Sequence, residues 1–167
     1  VFDLSFFTQE YFGRLYKKNQ KLFFSYYKIY IDAVSEILRT IGININTSPV
    51  LDVNRSYSHN IIGSRSFSKN TKVVSLLGKF CVDFYSKNSI GTVVKHIPGH
   101  GASIVDSHKK LPIINISKKD LFKKDFKPFV GTNSFFAMTA HIVYSKIDKK
   151  NTATHSKVLI KKIIRKH

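Results

Sequence analysis

A chain of 167 residues with 43% hydrophobic content is long enough and apolar enough to enclose one core, which excludes a disordered tail. No apolar run approaches the length of a bilayer span, and the lone Cys81 cannot close an internal disulfide; no membrane partner is expected, and a reducing, cytoplasmic compartment is. The formal charge of +18 and the pI near 10.0 admit a polyanionic partner, but lysine pairs run from Lys17-Lys18 to Lys161-Lys162, the pattern of solvated helix faces rather than of one nucleic-acid-binding element.

The chain opens Val1-Phe2-Asp3, with neither an initiator Met nor the basic start of a signal peptide, so a fragment is expected. Phe23, Tyr27, Tyr30, Val34, Ile37 and Ile41 recur at helical spacing, and Gly42 stands where a helix C-cap belongs. Ile43 to Val53 reads as a strand interrupted by Pro49. Val73, Leu77, Phe80, Cys81 and Phe84 form a second apolar helical face, Asn88 to Gly91 turns the chain, and Thr92 to Ile97 is the next strand. Ser117 and Asp120 have the spacing of a variant capping box and open a short helix carrying Leu121, Phe122 and Phe126, which Pro128 and Gly131 end. Ser134 to Val143 is a strongly apolar strand, and a last helix runs from about Ser156 to Arg165. Strands alternating with helices predict βαβ units and a parallel sheet, buried on both faces.

The chemistry concentrates in Lys95-His96-Ile97-Pro98-Gly99-His100-Gly101 and the nearby Asp106-Ser107-His108. A buried strand that ends in Lys-His and opens into a glycine-rich polar loop is how an α/β enzyme presents an active site. Asp106 and His108 are two apart in an extended loop, so their side chains can face the same way. The carboxylate can then orient the imidazole, and the imidazole can give a proton to a leaving oxygen and take one from water. Lys95 and Arg65 offer donors to hydroxyls and carbonyls. His96 and His100 are four apart, but Pro98, Gly99 and Gly101 argue against a helical zinc pair. A loop-built zinc site of His96, His100, His108 and His141 stays open behind the catalytic reading, which takes no metal ligand. His141, inside an apolar run, reads as a hydrogen-bonded structural residue. Asp52 reads as a strand-end brace or a substrate contact, and the tyrosine-rich stretch from Leu22 to Tyr30 as core.

In order, these segments resemble the bacterial β-N-acetylhexosaminidases of glycoside hydrolase family 3, of the peptidoglycan-recycling type. The matching elements are Gly42 to Asn46, Pro49 to Val53, Ile62 to Phe67, Lys95 to Gly101, Asp106 to His108 with Leu111-Pro112, and Met138 to Tyr144. The resemblance implies that residues 1–167 are a family 3 N-terminal-type barrel domain incomplete at both ends: α/β, a partial TIM-type (β/α) barrel with about three βα units of the eight. It implies a retaining hydrolase that needs no cofactor and cuts terminal β-linked N-acetylglucosamine from muropeptides or chitooligosaccharides. By motif position His108 corresponds to the acid/base, Asp106 to its partner, and Arg65, Lys95 and His96 to residues that bind sugar hydroxyls. The family's nucleophile lies in a Gly-Phe-x-Gly…Asp-Asp-Leu segment beyond the last helix, and its Asp-x-Glu-Gly-Gly segment would precede Val1. Neither stands in this chain, so it is expected to be inactive or poorly soluble alone. A degenerate remnant of that enzyme and a basic nucleic-acid-binding protein are the alternatives.

Overall fold

The computed structural model describes residues 6–56, 60–106 and 109–166. Helix α1 (Gln9–Lys18) starts where Thr8 accepts the Tyr11 N–H, and Asn19 ends it. The same Asn19 side chain accepts the Leu22 N–H and opens α2 (Gln20–Thr40). One asparagine therefore closes one helix and caps the next, folding them into a hairpin. Helix α1 has no counterpart among the sequence-predicted elements. In α2, Phe23, Tyr27, Ile31 and Ser35 are the buried stripe, while Ile37 and Ile41 of the predicted face are exposed. Gly42 ends the helix at φ +78°, with its N–H on the Arg39 carbonyl, as the C-cap reading requires.

The strand predicted over 43–53 is reduced to β1 (Ile45–Asn46) and a single bridge from Val50 to Lys95. Pro49 has no N–H to give, and pairing resumes where its carbonyl accepts the Lys95 N–H and Leu51 donates to the Lys95 carbonyl. Helix α3 (Thr71–Lys87), capped by Asn70, buries Val74, Leu77, Cys81, Val82 and Tyr85 and leads into β2 (Gly91–Ile97). Strand β3 (Ile113–Ile114) follows, then α4 (Lys118–Leu121), where Ser117 accepts the Asp120 N–H as the N-cap. Here the Ser117 hydroxyl donates to the Asp120 carboxylate at 2.6 Å, a local variant of the capping box. A wider turn over Phe122–Phe126 and a tight one over Lys127–Phe129 carry the chain to β4 (Phe136–Thr139).

The long strand predicted from Ser134 to Val143 is two strands. Strand β4 leaves the ladder after Thr139, and β5 (Val143–Tyr144) pairs with β3 instead. The sequence between them, Ala140 to Ile142, is apolar enough to read as strand, but Val143 donates to the Pro112 carbonyl rather than continuing along β2. The final helix, α5 (Lys157–Leu159), starts at the Ser156 cap and widens over Ile160–Ile164, within the predicted span.

The sheets are parallel throughout: β1–β2–β4 in one, β3–β5 in the other. The mixed α/β architecture is as the alternating pattern predicted, and β2 is the central strand of the larger sheet. One core packs α1, α2 and α3 against β2 and the Leu51–Val53 segment; a second lies around Leu121, Phe126, Ile142, Tyr144 and Leu159. No helix among the described residues is long and apolar enough to cross a membrane.

Candidate active site

The C-terminal ends of the parallel strands meet on one side of the sheet, where an α/β fold collects its functional side chains. Asp52, just beyond Leu51, is fully buried. One of its oxygens accepts the His100 N–H at 2.6 Å and the His96 N–H at 3.4 Å; the other lies 2.7 Å from His96 Nδ1. A single carboxylate thus holds both histidines of the Lys95–Gly101 segment. The Lys95–His96 and Ile97–Pro98 peptide bonds are cis. Gly101 permits the segment to lie against its neighbour: a Cβ there would sit 2.0 Å from the Val53 carbonyl oxygen.

A cleft of about 200 Å³ opens beside this cluster, and Arg65, His96, His100, Met138, Thr139 and His141 contribute to its wall. Burial pushes the His100 imidazole below its ordinary value, partly offset by the Asp52 charge, so the neutral ring is favoured. Lys95 is also pushed down, first by burial and then by Arg65, with Asp52 opposing. Its ammonium donates to Thr47 Oγ1 at 3.3 Å. Beneath the segment, the buried Tyr144 hydroxyl donates to the Gly99 carbonyl at 2.6 Å. Asp125 packs against Gly99 and pairs with Arg55. Burial pushes the Asp125 carboxyl up to about 6, with Arg55 pulling the other way.

Of the sequence-predicted residues, Arg65 and His96 share the cleft wall. Lys95 stands next to His96 on β2 but turns its ammonium to Thr47, outside the wall residues. Asp106 is half-buried and its carbonyl accepts the N–H groups of Lys109 and Lys110. His108 lies outside the described residues. His141 is not the structural residue expected inside a strand: it is exposed, past the end of β4, and lines the cleft near the His155 ring. The strand break after Thr139 is the reason. Asp52, which the sequence offers as a strand-end brace or a substrate contact, takes the bracing part and holds both histidines. Its one signal was an acid closing an apolar run, and that signal does not say that the partners lie on another strand. Among the described residues no group of three or more His, Cys, Asp or Glu is arranged to hold a metal ion.

The parallel sheet with a polar cleft at its strand ends places the chain among α/β folds that gather their functional side chains at the carboxyl ends of the strands. The sequence profile of the glycosyl hydrolase family 3 N terminal domain matches residues 25–167, and the chain belongs to that family. It is 36% identical over 120 residues to Beta-hexosaminidase A of Pseudoalteromonas piscicida, covering 70% of this chain and 20% of that protein. It is 34% identical over 130 residues to Beta-hexosaminidase of Haemophilus influenzae, covering 75% and 36%. NagZ from Neisseria gonorrhoeae, solved in complex with N-trifluoroacetyl-D-glucosamine, superposes with a TM-score of 0.87 at 28% identity, over 95% of this chain and 47% of that one. The chain therefore spans less than half of the length of each of these proteins.

Proposed function

We propose that this chain is the acid/base and sugar-binding part of a retaining β-N-acetylhexosaminidase acting on terminal β-linked N-acetylglucosamine of muropeptides or chitooligosaccharides. The observation that carries the reading is the cleft at the strand ends whose wall Arg65 shares with a His96 held by the buried Asp52. The β-hexosaminidase names of the relatives and the glucosamine derivative bound to the gonococcal NagZ support the same chemistry. In this proposal the three-stranded sheet is part of a TIM-type barrel. Arg65, Lys95 and His96 bind hydroxyls, and His108, oriented by Asp106, protonates the leaving oxygen and then deprotonates water. Retaining hydrolysis also needs a carboxylate nucleophile. Nothing in these 167 residues matches the family's Gly-Phe-x-Gly…Asp-Asp-Leu element.

The test is a titration of the purified chain with N-acetylglucosamine, followed by NMR. Saturable binding is expected, weakened about tenfold or more in Arg65→Ala, the loss of one charged hydrogen bond. Absence of saturable binding would overturn the sugar-site reading. With an aryl N-acetyl-β-glucosaminide no steady turnover is expected; turnover that disappears in His108→Ala would instead place the nucleophile within the chain.

A further inference from the structure

We propose that Asp52 is a positioning residue that fixes the tautomer of His96, so that the cleft presents the Nε2 lone pair as a hydrogen-bond acceptor beside the Arg65 donor. The recognition half of this inference rests on the sugar-site reading above; the tautomer half does not.

An ionised carboxylate accepts hydrogen bonds and donates none. Asp52 Oδ2 lies 2.7 Å from His96 Nδ1, so the shared proton sits on Nδ1. In the neutral ring the opposite nitrogen, Nε2, then carries a lone pair. Asp52 is well fixed for this task. It is fully buried, and its other oxygen is occupied by the His100 and His96 backbone N–H groups. The carboxylate cannot turn away from the ring without abandoning those donors.

The groups that face His96 give this choice its consequence. Arg65, from the turn at Gly63–Arg65, shares the cleft wall with His96 and is a donor only, while Lys95, which precedes His96 on β2, turns its ammonium to Thr47. His100 lies with its ring centroid 5.7 Å away, and His141 comes from beyond β4 into the same wall. If His96 offered an N–H as well, a sugar hydroxyl placed between His96 and Arg65 would meet a donor on each side and find an acceptor on neither for its own proton. With Nε2 as acceptor, the hydroxyl donates to His96 while accepting from a cation. Both of its hydrogen-bonding roles are then used, and a ligand atom that only accepts is disfavoured. Asp52 thereby sets the polarity of the site without touching the ligand.

Asp52→Asn separates this role from simple bracing. The side-chain oxygen can still accept the His100 N–H, while the amide N–H₂ must face Nδ1. Nδ1 becomes the acceptor and the proton moves to Nε2. Long-range ¹H–¹⁵N correlation of the His96 ring, at a pH where it is neutral, reads the tautomer directly. The wild-type chain is expected to show Nδ1 protonated and Nε2 bare, and Asp52→Asn the reverse, with the backbone spectrum otherwise retained. N-acetylglucosamine affinity is expected to fall about tenfold with the reversal, the size of one lost hydrogen bond. A wild-type ring protonated on Nε2 would overturn the proposal without any variant, so it remains decidable if Asp52→Asn fails to fold. A reversed tautomer with unchanged sugar affinity would overturn the recognition role. The expected tautomers with no sugar binding in either protein would leave Asp52 as the tautomer-setting group and defeat the sugar-site reading.

Discussion

Asp125 shows how far one side chain can be removed in sequence from the loop it supports. It is fully buried, lies against Gly99 and pairs with Arg55, 70 positions earlier. Its carboxyl is raised from 3.8 to about 6, chiefly by burial. Because the folded value lies above the unfolded one, the folded chain holds an extra proton between about pH 4 and pH 6. The associated stability is fully present below about pH 4 and is lost as pH rises through about 6. A shift of two units corresponds to about 3 kcal/mol as an upper figure. Urea unfolding of the wild type is therefore expected to show stability from this residue declining across that window, and Asp125→Asn to remove that component. An Asp125→Asn curve parallel to the wild type between pH 4 and pH 6 would refute the assignment. Arg55→Met leaves the carboxylate buried without its cation and is expected to cost about 3 kcal/mol at pH 7 by the same measurement. At this scale the sequence was informative where neighbours in the chain act together. Lys95, His96 and Arg65 stand out as donors and ring nitrogens within recognisable segments. Asp52 shows only as an acid at a strand end and Asp125 not at all, because the groups they hold lie 44 and 70 positions away, a separation no local pattern encodes.

Helix α1 meets the strand layer through one side chain that behaves as a strand. The Gln9 amide donates to the Val50 carbonyl at 2.8 Å and accepts the Val50 N–H at 2.8 Å. Val50 is buried, so both of its backbone groups depend on Gln9 where a neighbouring strand would otherwise serve. Gln9→Leu keeps the bulk and removes both partners, which is expected to cost about 2–3 kcal/mol in urea unfolding. Gln9→Glu, which loses the donor and sets a carboxylate oxygen against a carbonyl, should be no better. A loss below about 0.5 kcal/mol for Gln9→Leu would mean that solvent replaces the amide freely. The helices with long apolar stripes, α2 and α3, were legible, as were Gly42 at the end of α2 and Ser117 at the start of α4, because period and caps are local properties. Helix α1 was missed for lack of a long stripe: Phe12 and Gly13 are its buried residues, and Gln9 anchors it by polar contacts. The single strand read over Ser134 to Val143 was wrong for the opposite reason. Its apolar run is continuous, while the choice of partner changes from β2 to β3 partway along it.

For the whole molecule two opposed features set solution behaviour. The charge of +18 keeps copies apart. Strand β4 works against it. It lies at one side of the three-stranded sheet, with Phe136 49% and Met138 41% exposed and the adjoining Phe135 90% exposed. An apolar edge strand with open backbone groups is a template for pairing with another chain. Charge repulsion between surfaces is screened within about 10 Å at 0.1 M salt, whereas burial of apolar side chains persists there. The chain is therefore expected to sediment as a monomer in low salt and to associate, with dye binding to apolar surface, as salt is raised. A lysine on the edge costs more to bury than it returns, so Phe136→Lys should hold the monomer to higher salt. Association that weakens as salt is added would identify ionic contacts as its cause and exonerate β4. Association equal in Phe136→Lys and wild type would move the sticky surface elsewhere on the chain.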